Sequence, residues 1–357
     1  MKIGVPTEIK LAEGRVGLTP EACAELVQQQ HRVFIEQGAG LKSGFSDEDY
    51  ISAGCQIASS AEALYQAAQL IVKVKEPLAG DLKYIRSDHI LFCFLHLAAN
   101  KTLADQLCAT GCTAIAFESI ENQQQQLPIL AAMSQIAGRL AVQIGAHLLH
   151  QPSGGSGILL GGVANAARGK VVVLGAGVAG EQAAQLAASV GAEVSVFDID
   201  TAKLDRLQQF AANIQTHYAY ASAIAEALTE ADLVIGAVLV SGKKAPHVVT
   251  EAMVRAMKQQ SVIIDIAIDQ GGCVETIEPT TYQSPTFIKH GVIHFAVANM
   301  PGAVPKTASQ VLSSVISRYV IKIADGSALT EQSISNAVNI EAGKLVHPAL
   351  IEQFKQI

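Results

Sequence analysis

Lys170-Val-Val-Val-Leu174-Gly175-Ala176-Gly177-Val178-Ala179-Gly180 decides the fold. Its first five residues are a near-continuous apolar run, the pattern of a parallel strand covered on both faces. The next six spell G-x-G-x-x-G, and small apolar residues at helical spacing run on to Ser189, so the glycines occupy a strand, turn and helix start. Gly175 allows the tight turn, Gly177 lets backbone approach a pyrophosphate, and Gly180 lets the helix close on the strand. The helix start, at Val178 and Ala179, offers N–H groups to phosphate. The following strand, at 192–197, leads into Asp198, 18 residues beyond Gly180, where a carboxylate accepts from both ribose hydroxyls. The same charge repels a 2′-phosphate and no Arg follows at once, so the expected cofactor is NAD rather than NADP. Without the glycines, Asp198 would read as a strand-end turn or helix cap.

Outward from this unit, strands are expected at 232–240, 261–269 and 292–297, and a Gly-rich segment at 153–162 precedes it. A helix at 129–150 is long enough to run between domains. The N-terminal part alternates strands at 2–5, 32–36, 70–75, 90–97 and 113–116 with helices at 20–30, 60–68 and 101–110, which again implies a parallel α/β sheet. A helix at 306–324 follows Pro301, and the residues after it are expected to return to the first domain. The predicted fold class is therefore α/β with two domains. A Rossmann dinucleotide-binding domain spans 128–305, and a discontinuous Rossmann-like substrate domain spans 1–127 plus 306–357. The polar tract 123–126 reads as a turn, and no internal repeat is found.

The chain has 357 residues, half of them hydrophobic and 16% charged, with no Trp, so its apolar content is aliphatic and small. That excludes a disordered or fibrous protein. No uninterrupted apolar run reaches the roughly 18 residues of a spanning helix, and the N-terminus meets Glu8 before a signal sequence could form. A cytoplasmic protein is expected. The net charge of −7 argues against nucleic-acid binding. Six cysteines without C-x-x-C spacing read as free thiols, and no metal is expected.

Ligands of open α/β sheets bind beyond the carboxyl ends of strands. In the first domain those positions are basic: Arg15 after the first strand, Lys75 closing 70–75, and His96 near the end of 90–97. Asp269 closes 261–269 in the second. Each alone has a plain reading: Arg15 and Lys75 as surface charges, His96 as a core histidine, Asp269 as a turn residue. Together they suit a small keto or amino acid, with Arg and Lys for a carboxylate, His for proton transfer and Asp for ammonium or water.

Longer stretches carry a resemblance. They are Met-Lys-Ile-Gly-Val-Pro-Thr-Glu at the start, Glu13-Gly-Arg-Val-Gly-Leu-Thr-Pro20, Ile71-Val-Lys-Val-Lys-Glu-Pro77, Phe94-Leu-His-Leu-Ala98, Met133-Ser134 with Ala137-Gly-Arg139, the glycine turn, Asp265-Ile-Ala-Ile-Asp-Gln-Gly-Gly272 and Ala298-Asn-Met-Pro301. Across nearly its whole length the chain resembles the alanine dehydrogenase family, which shares its architecture with the NAD-binding component of proton-pumping transhydrogenase. The resemblance implies reversible oxidative deamination of L-alanine to pyruvate and ammonium with hydride transfer to NAD. It implies Arg15 and Lys75 as substrate-binding residues, His96 as acid/base and Asp269 as the second catalytic group. Around NAD it implies Ser134, Gly175, Gly177, Val178, Ala179, Gly180, Asp198, Lys203, Val238, Leu239, Ile266, Ala267, Ile268, Asp269, Val297, Ala298, Asn299 and Met300. It also implies a homohexamer.

The chain departs from the family pattern at Phe94, where Tyr is usual, at Tyr220, where Ser is common, and at Glu278, where Arg is frequent. Family members can hold magnesium through a Glu and a late His; Glu118 matches, but Gly326 stands at the late position. The alternatives are a hydride-transfer subunit of a transhydrogenase-like system and a dehydrogenase of another small amino acid. His96 argues against the first, because hydride exchange between nucleotides needs no proton-transfer group.

Overall fold

The computed structural model describes residues 1–238, 245–327 and 331–355. The chain divides into two units, Met1–Met133 with Gly302–Ile357, and Ser134–Pro301. The first opens with β1 (Lys2–Val5), β2 (Arg32–Glu36), β3 (Gln56–Ala58), β4 (Leu70–Val72), β5 (Ile90–Cys93) and β6 (Thr113–Ala116). The second holds β7 (Lys170–Leu174), β8 (Glu193–Asp198), β9 (Ile214–Tyr218), β10 (Leu233–Gly236), β11 (Val262–Asp265), β12 (Thr286–Lys289) and β13 (Val292–Phe295). Back in the first, β14 (Val338–Glu341) and β15 (Lys344–Leu345) close the chain.

The first sheet runs β15-β14-β6-β5-β4-β1-β2-β3, parallel except where β14 joins β6 and β15 joins β14. The strand order reverses between β1 and β4, which makes the loops after those two strands the mouth of a crevice. The second sheet runs β12-β13-β11-β10-β7-β8-β9 and is parallel apart from β12; its order reverses at β7 and β10. Each sheet has its own core. Leu64, Tyr65, Ile71, Leu91, Leu107 and Ala114 pack in the first unit, and Val172, Leu174, Leu228, Val234, Val254 and Ile263 in the second.

Several strands stop short of their expected ends. β4 ends at Val72 rather than 75, β5 at Cys93 rather than 97, and β11 at Asp265 rather than 269, while β10 covers Leu233–Gly236 of the expected 232–240, of which 239 and 240 lie outside the described residues. After β4, β5 and β11 buried apolar residues continue, among them Val74, Phe94, Leu95, Ala267 and Ile268, so hydrophobicity runs on beyond the regular strand. The short strands β3, β9, β12, β14 and β15 lay outside the sequence expectation, as did the helices Asp47–Ser52, Thr201–Gln208 and Ala221–Glu230.

The helix expected at 129–150 spans Pro128–Leu148. It corrects one expectation, because by length and mean hydropathy (1.3) it is apolar enough to cross a membrane even though polar residues interrupt it. More than half of its apolar stretch, 56%, is buried in the fold. Gly138 sits so close to the helix Val178–Ser189 that a Cβ there would lie 2.1 Å from the Ala179 carbonyl oxygen. Arg139 donates from Nε to Gln182 Oε1 at 2.8 Å. These contacts fit a core helix.

Candidate functional site

In the first unit the loop after β1 delivers Arg15. A solvated loop charge is the plain expectation, yet Arg15 is only 2% exposed. Glu13, also buried, receives it in a fork: Nε donates to Oε1 at 2.7 Å, Nη2 to Oε2 at 2.5 Å, and the Arg15 backbone N–H to Oε1 at 3.1 Å. A buried guanidinium requires such a partner. Nη1 lies 3.3 Å from Met133 Sδ. The loop is tied down by the helix Pro305–Ala324, whose Ser309 and Ser313 hydroxyls accept from the N–H groups of Val16 (2.9 Å) and Thr19 (3.0 Å).

Lys75 and His96 follow the ends of β4 and β5. Lys75 is buried, and its Nζ lies 5.8 Å from the centre of the Phe94 ring. The His96 imidazole stacks on the same ring, 5.6 Å between centroids and 2° between planes. Phe94 thus brings Lys75 and His96 together. His96 is exposed, which removes the core-histidine reading. Its backbone is left-handed, φ 51°, uncommon for a residue with a side chain. Glu118, in the 3-10 turn Phe117–Ser119 just after β6, stabilises that turn: its carboxylate accepts from the His96 N–H at 2.6 Å and the Leu95 N–H at 3.2 Å.

In the second unit the glycine turn has a separate steric reason at each position. Gly175 has φ 96°, and a Cβ on it would lie 2.6 Å from the Ala237 carbonyl oxygen and 3.1 Å from Val238 N. On Gly180 it would lie 1.7 Å from the Gly175 carbonyl oxygen, where helix meets strand. On Gly177 it would meet no atom within 4 Å. The space over Gly177 suits a bulky ligand, and the helix Val178–Ser189 begins there without a side-chain cap, leaving its first turn suited to an anion. Val178 is exposed at this edge. Ser134 lies one turn before Gly138, on the helix face that meets Ala179.

Asp198 ends β8 beside the turn. Its Oδ2 accepts from the Ala176 N–H at 2.5 Å and its Oδ1 from the Asp200 N–H at 2.8 Å. Lys203 follows in the helix Thr201–Gln208, 3.4 Å from Asp200. Asp269 lies in a turn of 3-10 helix, Ile266–Gln270, with Ile266, Ala267 and Ile268. Asp265 organises that turn from full burial, accepting from the N–H groups of Ala267 (2.9 Å), Cys273 (2.7 Å) and Val274 (3.2 Å). Burial raises its carboxyl above the ordinary range despite those donors. Val297 is bridged to Thr280, Ala298 and Asn299 follow, the latter left-handed at φ 63°, and the Met300 carbonyl accepts from the Tyr282 hydroxyl at 3.0 Å. Leu239 lies outside the described residues.

Comparison with known proteins fits both units. Residues 4–137 match the N-terminal domain of "Alanine dehydrogenase/PNT", and residues 141–348 its C-terminal domain. The chain belongs to the alanine dehydrogenase/PNT family. It is 47% identical over 345 residues to the alanine dehydrogenase of Bacillus subtilis, covering 96% of this chain and 90% of that one. With the alanine dehydrogenase of Mycolicibacterium smegmatis the identity is 45% over 355 residues, covering 98% and 96%. A solved L-alanine dehydrogenase superposes with a TM-score of 0.97 at 46% identity over 100% of this chain and 99% of the other. The transhydrogenase from Sinorhizobium meliloti gives 0.87 at 26% identity over 98% and 100%.

Glu118 accepts from the backbone N–H groups of Leu95 and His96, and Gly326, at the late position, has no side chain. Of the departures from the family pattern, Phe94 is the ring that both Lys75 and His96 approach. Tyr220 is exposed and packs on Tyr218, their ring centres 4.8 Å apart, and Glu278 is exposed. The sequence reading gave no site role to Glu13 or Asp265, and it took Glu118 only as a match to a metal ligand, not as the carboxylate that holds the His96 turn. Their one signal was position, an acid two residues before Arg15, one just after β6 and one at the end of β11.

Proposed function

We propose that this protein is an NAD-dependent L-alanine dehydrogenase, catalysing L-alanine + NAD⁺ + H₂O ⇌ pyruvate + NH₄⁺ + NADH + H⁺. The observation that carries this reading is the Lys75, Phe94 and His96 stack in a unit that also buries Arg15. NAD, when bound, supplies the hydride acceptor, and the turn at Gly175, Gly177 and Gly180, with Ser134, Val178, Ala179, Asp198, Lys203, Val238, Ile266 to Ile268 and Val297 to Met300, holds it. Arg15 and Lys75 bind the substrate carboxylate and carbonyl, and the Lys75 ammonium favours negative charge developing on that oxygen. His96 takes a proton from the attacking water and returns it as the amine leaves; its exposure allows exchange with solvent. Asp269 orients water or ammonium.

A hydride-transfer subunit has no use for an imidazole at His96, which favours the dehydrogenase. The decisive experiment presents the purified protein with a panel of small L-amino acids, each with NAD⁺ and with NADP⁺. L-Alanine with NAD⁺ should give NADH and pyruvate, and pyruvate, ammonium and NADH should run the reverse. Absence of turnover in both directions by folded, NAD-binding protein would overturn the reading, and a clear preference for another amino acid would reassign the substrate.

We infer a homohexamer. The number six is what the family resemblance implies; the feature of this chain that supports association is a largely apolar groove of about 370 Å³, lined by Val142, Ala146, Leu159, Leu160, Leu186 and Val190 with Gln143 and His150, a surface that a second copy would cover. Sedimentation equilibrium should give six times the chain mass, and a monomer would contradict it. All six cysteines are free thiols, as a reducing compartment keeps them, which supports a cytoplasmic location.

A further inference from the structure

The first unit buries a charged cluster that the proposed chemistry does not use. Lys73 is 1% exposed, with Nζ 3.6 Å from Glu8 Oε2 and 3.3 Å from Asp81 Oδ1. Asp81 also accepts from the Tyr65 hydroxyl at 3.2 Å and, through Oδ2, from the Leu78 N–H at 3.0 Å. The other oxygen of Glu8 accepts from the Val74 N–H at 2.6 Å and the Lys75 N–H at 3.4 Å. Burial pushes the Glu8 carboxyl up, opposed by Lys73. Replacing a buried ion pair by apolar side chains of similar volume is often neutral or stabilising, so such a cluster is weak evidence of a stabilising role. The common effect of its three charges is to fix segment 73–78: Glu8 holds 74 and 75, Asp81 holds 78, and Lys73 bridges the two.

Two residues after Glu8, Lys10 grips the same segment from outside, its Nζ 2.5 Å from Glu76 Oε1. Five residues further on, this loop delivers Arg15. One loop therefore carries one substrate-binding cation and holds the backbone of the other.

We propose that Glu8 is a positioning residue that sets Lys75 relative to Arg15, so that the two cations match the spacing of a 2-oxo acid's carboxylate and carbonyl. The proposal rests on the reading that Lys75 binds substrate. Its test uses the full chain and reads pyruvate binding to the protein–NADH complex, without ammonium, by nucleotide fluorescence. Glu8→Gln keeps an acceptor but loses the charge facing Lys73, and should weaken pyruvate binding roughly tenfold with NADH affinity unchanged. In a Lys75→Ala background, which itself weakens pyruvate, Glu8→Gln should add nothing further. If Glu8→Gln does not fold, Glu8→Asp is read instead; it retains the charge but is too short to hold Val74 and Lys75 as Glu8 does, and the same loss is expected. Normal pyruvate binding by the folded Glu8 variant, or losses that add fully in the double variant, would overturn the positioning role. Unchanged pyruvate binding by Lys75→Ala alone would instead remove Lys75 from the site, a result distinct from either.

Discussion

At the residue scale, glycines of one motif have different physical reasons, and substitution should separate them. Gly180→Ala places a methyl 1.7 Å from the Gly175 carbonyl oxygen, an overlap that should cost about 3 kcal/mol or more. Gly177→Ala meets nothing within 4 Å and has an ordinary φ of −68°, so its stability should change by less than about 0.5 kcal/mol. Its NAD⁺ affinity should still fall roughly tenfold, or about 1.4 kcal/mol, because the methyl occupies space the pyrophosphate needs. Denaturant titration and calorimetric binding on both variants check this; equal destabilisation by the two would remove the distinction. His96→Asn makes a parallel test. Asn tolerates the left-handed backbone at φ 51°, so the fold should hold within about 0.5 kcal/mol while turnover drops by roughly 10² to 10⁴. A folded His96→Asn protein with near-normal turnover would release the imidazole from acid/base work.

At the scale of elements, one physical cause explains what the sequence made legible and what it did not. The strand cores and the glycine turn were readable because apolar runs and G-x-G-x-x-G are local patterns. The strand ends were not, because Val74, Leu95 and Ala267 are as buried as the strands before them. What takes up the N–H groups of the following residues there is a carboxylate: Glu8, Glu118 and Asp265. Glu8 and Glu118 lie 66 and 23 residues from the groups they hold, and no local window contains them. Arg15, Lys75, His96 and Asp269 could therefore be placed near strand ends from the sequence, but not the loops that present them. Outside this frame, Lys10 and Glu76 latch two of those loops. Burial works upward on the Glu76 carboxyl, but the hydrogen bond and charge of Lys10 bring it below its ordinary value of 4.5. Its folded value is below its unfolded one, so the stability it contributes is present above about pH 4.5 and is lost as pH falls through the folded value. Glu76→Gln should accordingly melt below the parent protein at neutral pH, with the gap closing under acid. A gap that stays constant from pH 7 to pH 3 would show that the latch contributes no ionic stability.

At the scale of the whole molecule, the two units have separate sheets and separate apolar cores. A ligand that binds only the native form stabilises whichever cooperative unit contains its site, by about 2.7 kcal/mol at a hundred times its dissociation constant. The residues proposed to hold NAD⁺ all fall within Ser134–Pro301, and those proposed to hold the substrate carboxylate within Met1–Met133. If each unit unfolds on its own, NAD⁺ should slow hydrogen exchange at the slowest amides of β7, β8 and β10 by the full linkage factor of about a hundredfold. The slowest amides of β1, β5 and β6 should then exchange as before. The continuous helix Pro128–Leu148 belongs in part to each unit, and it is the element through which the two could instead unfold together. Exchange followed by mass spectrometry with and without NAD⁺ decides between them: protection confined to the second unit fits separate cooperative units, and an equal gain in both would show that the chain unfolds as one.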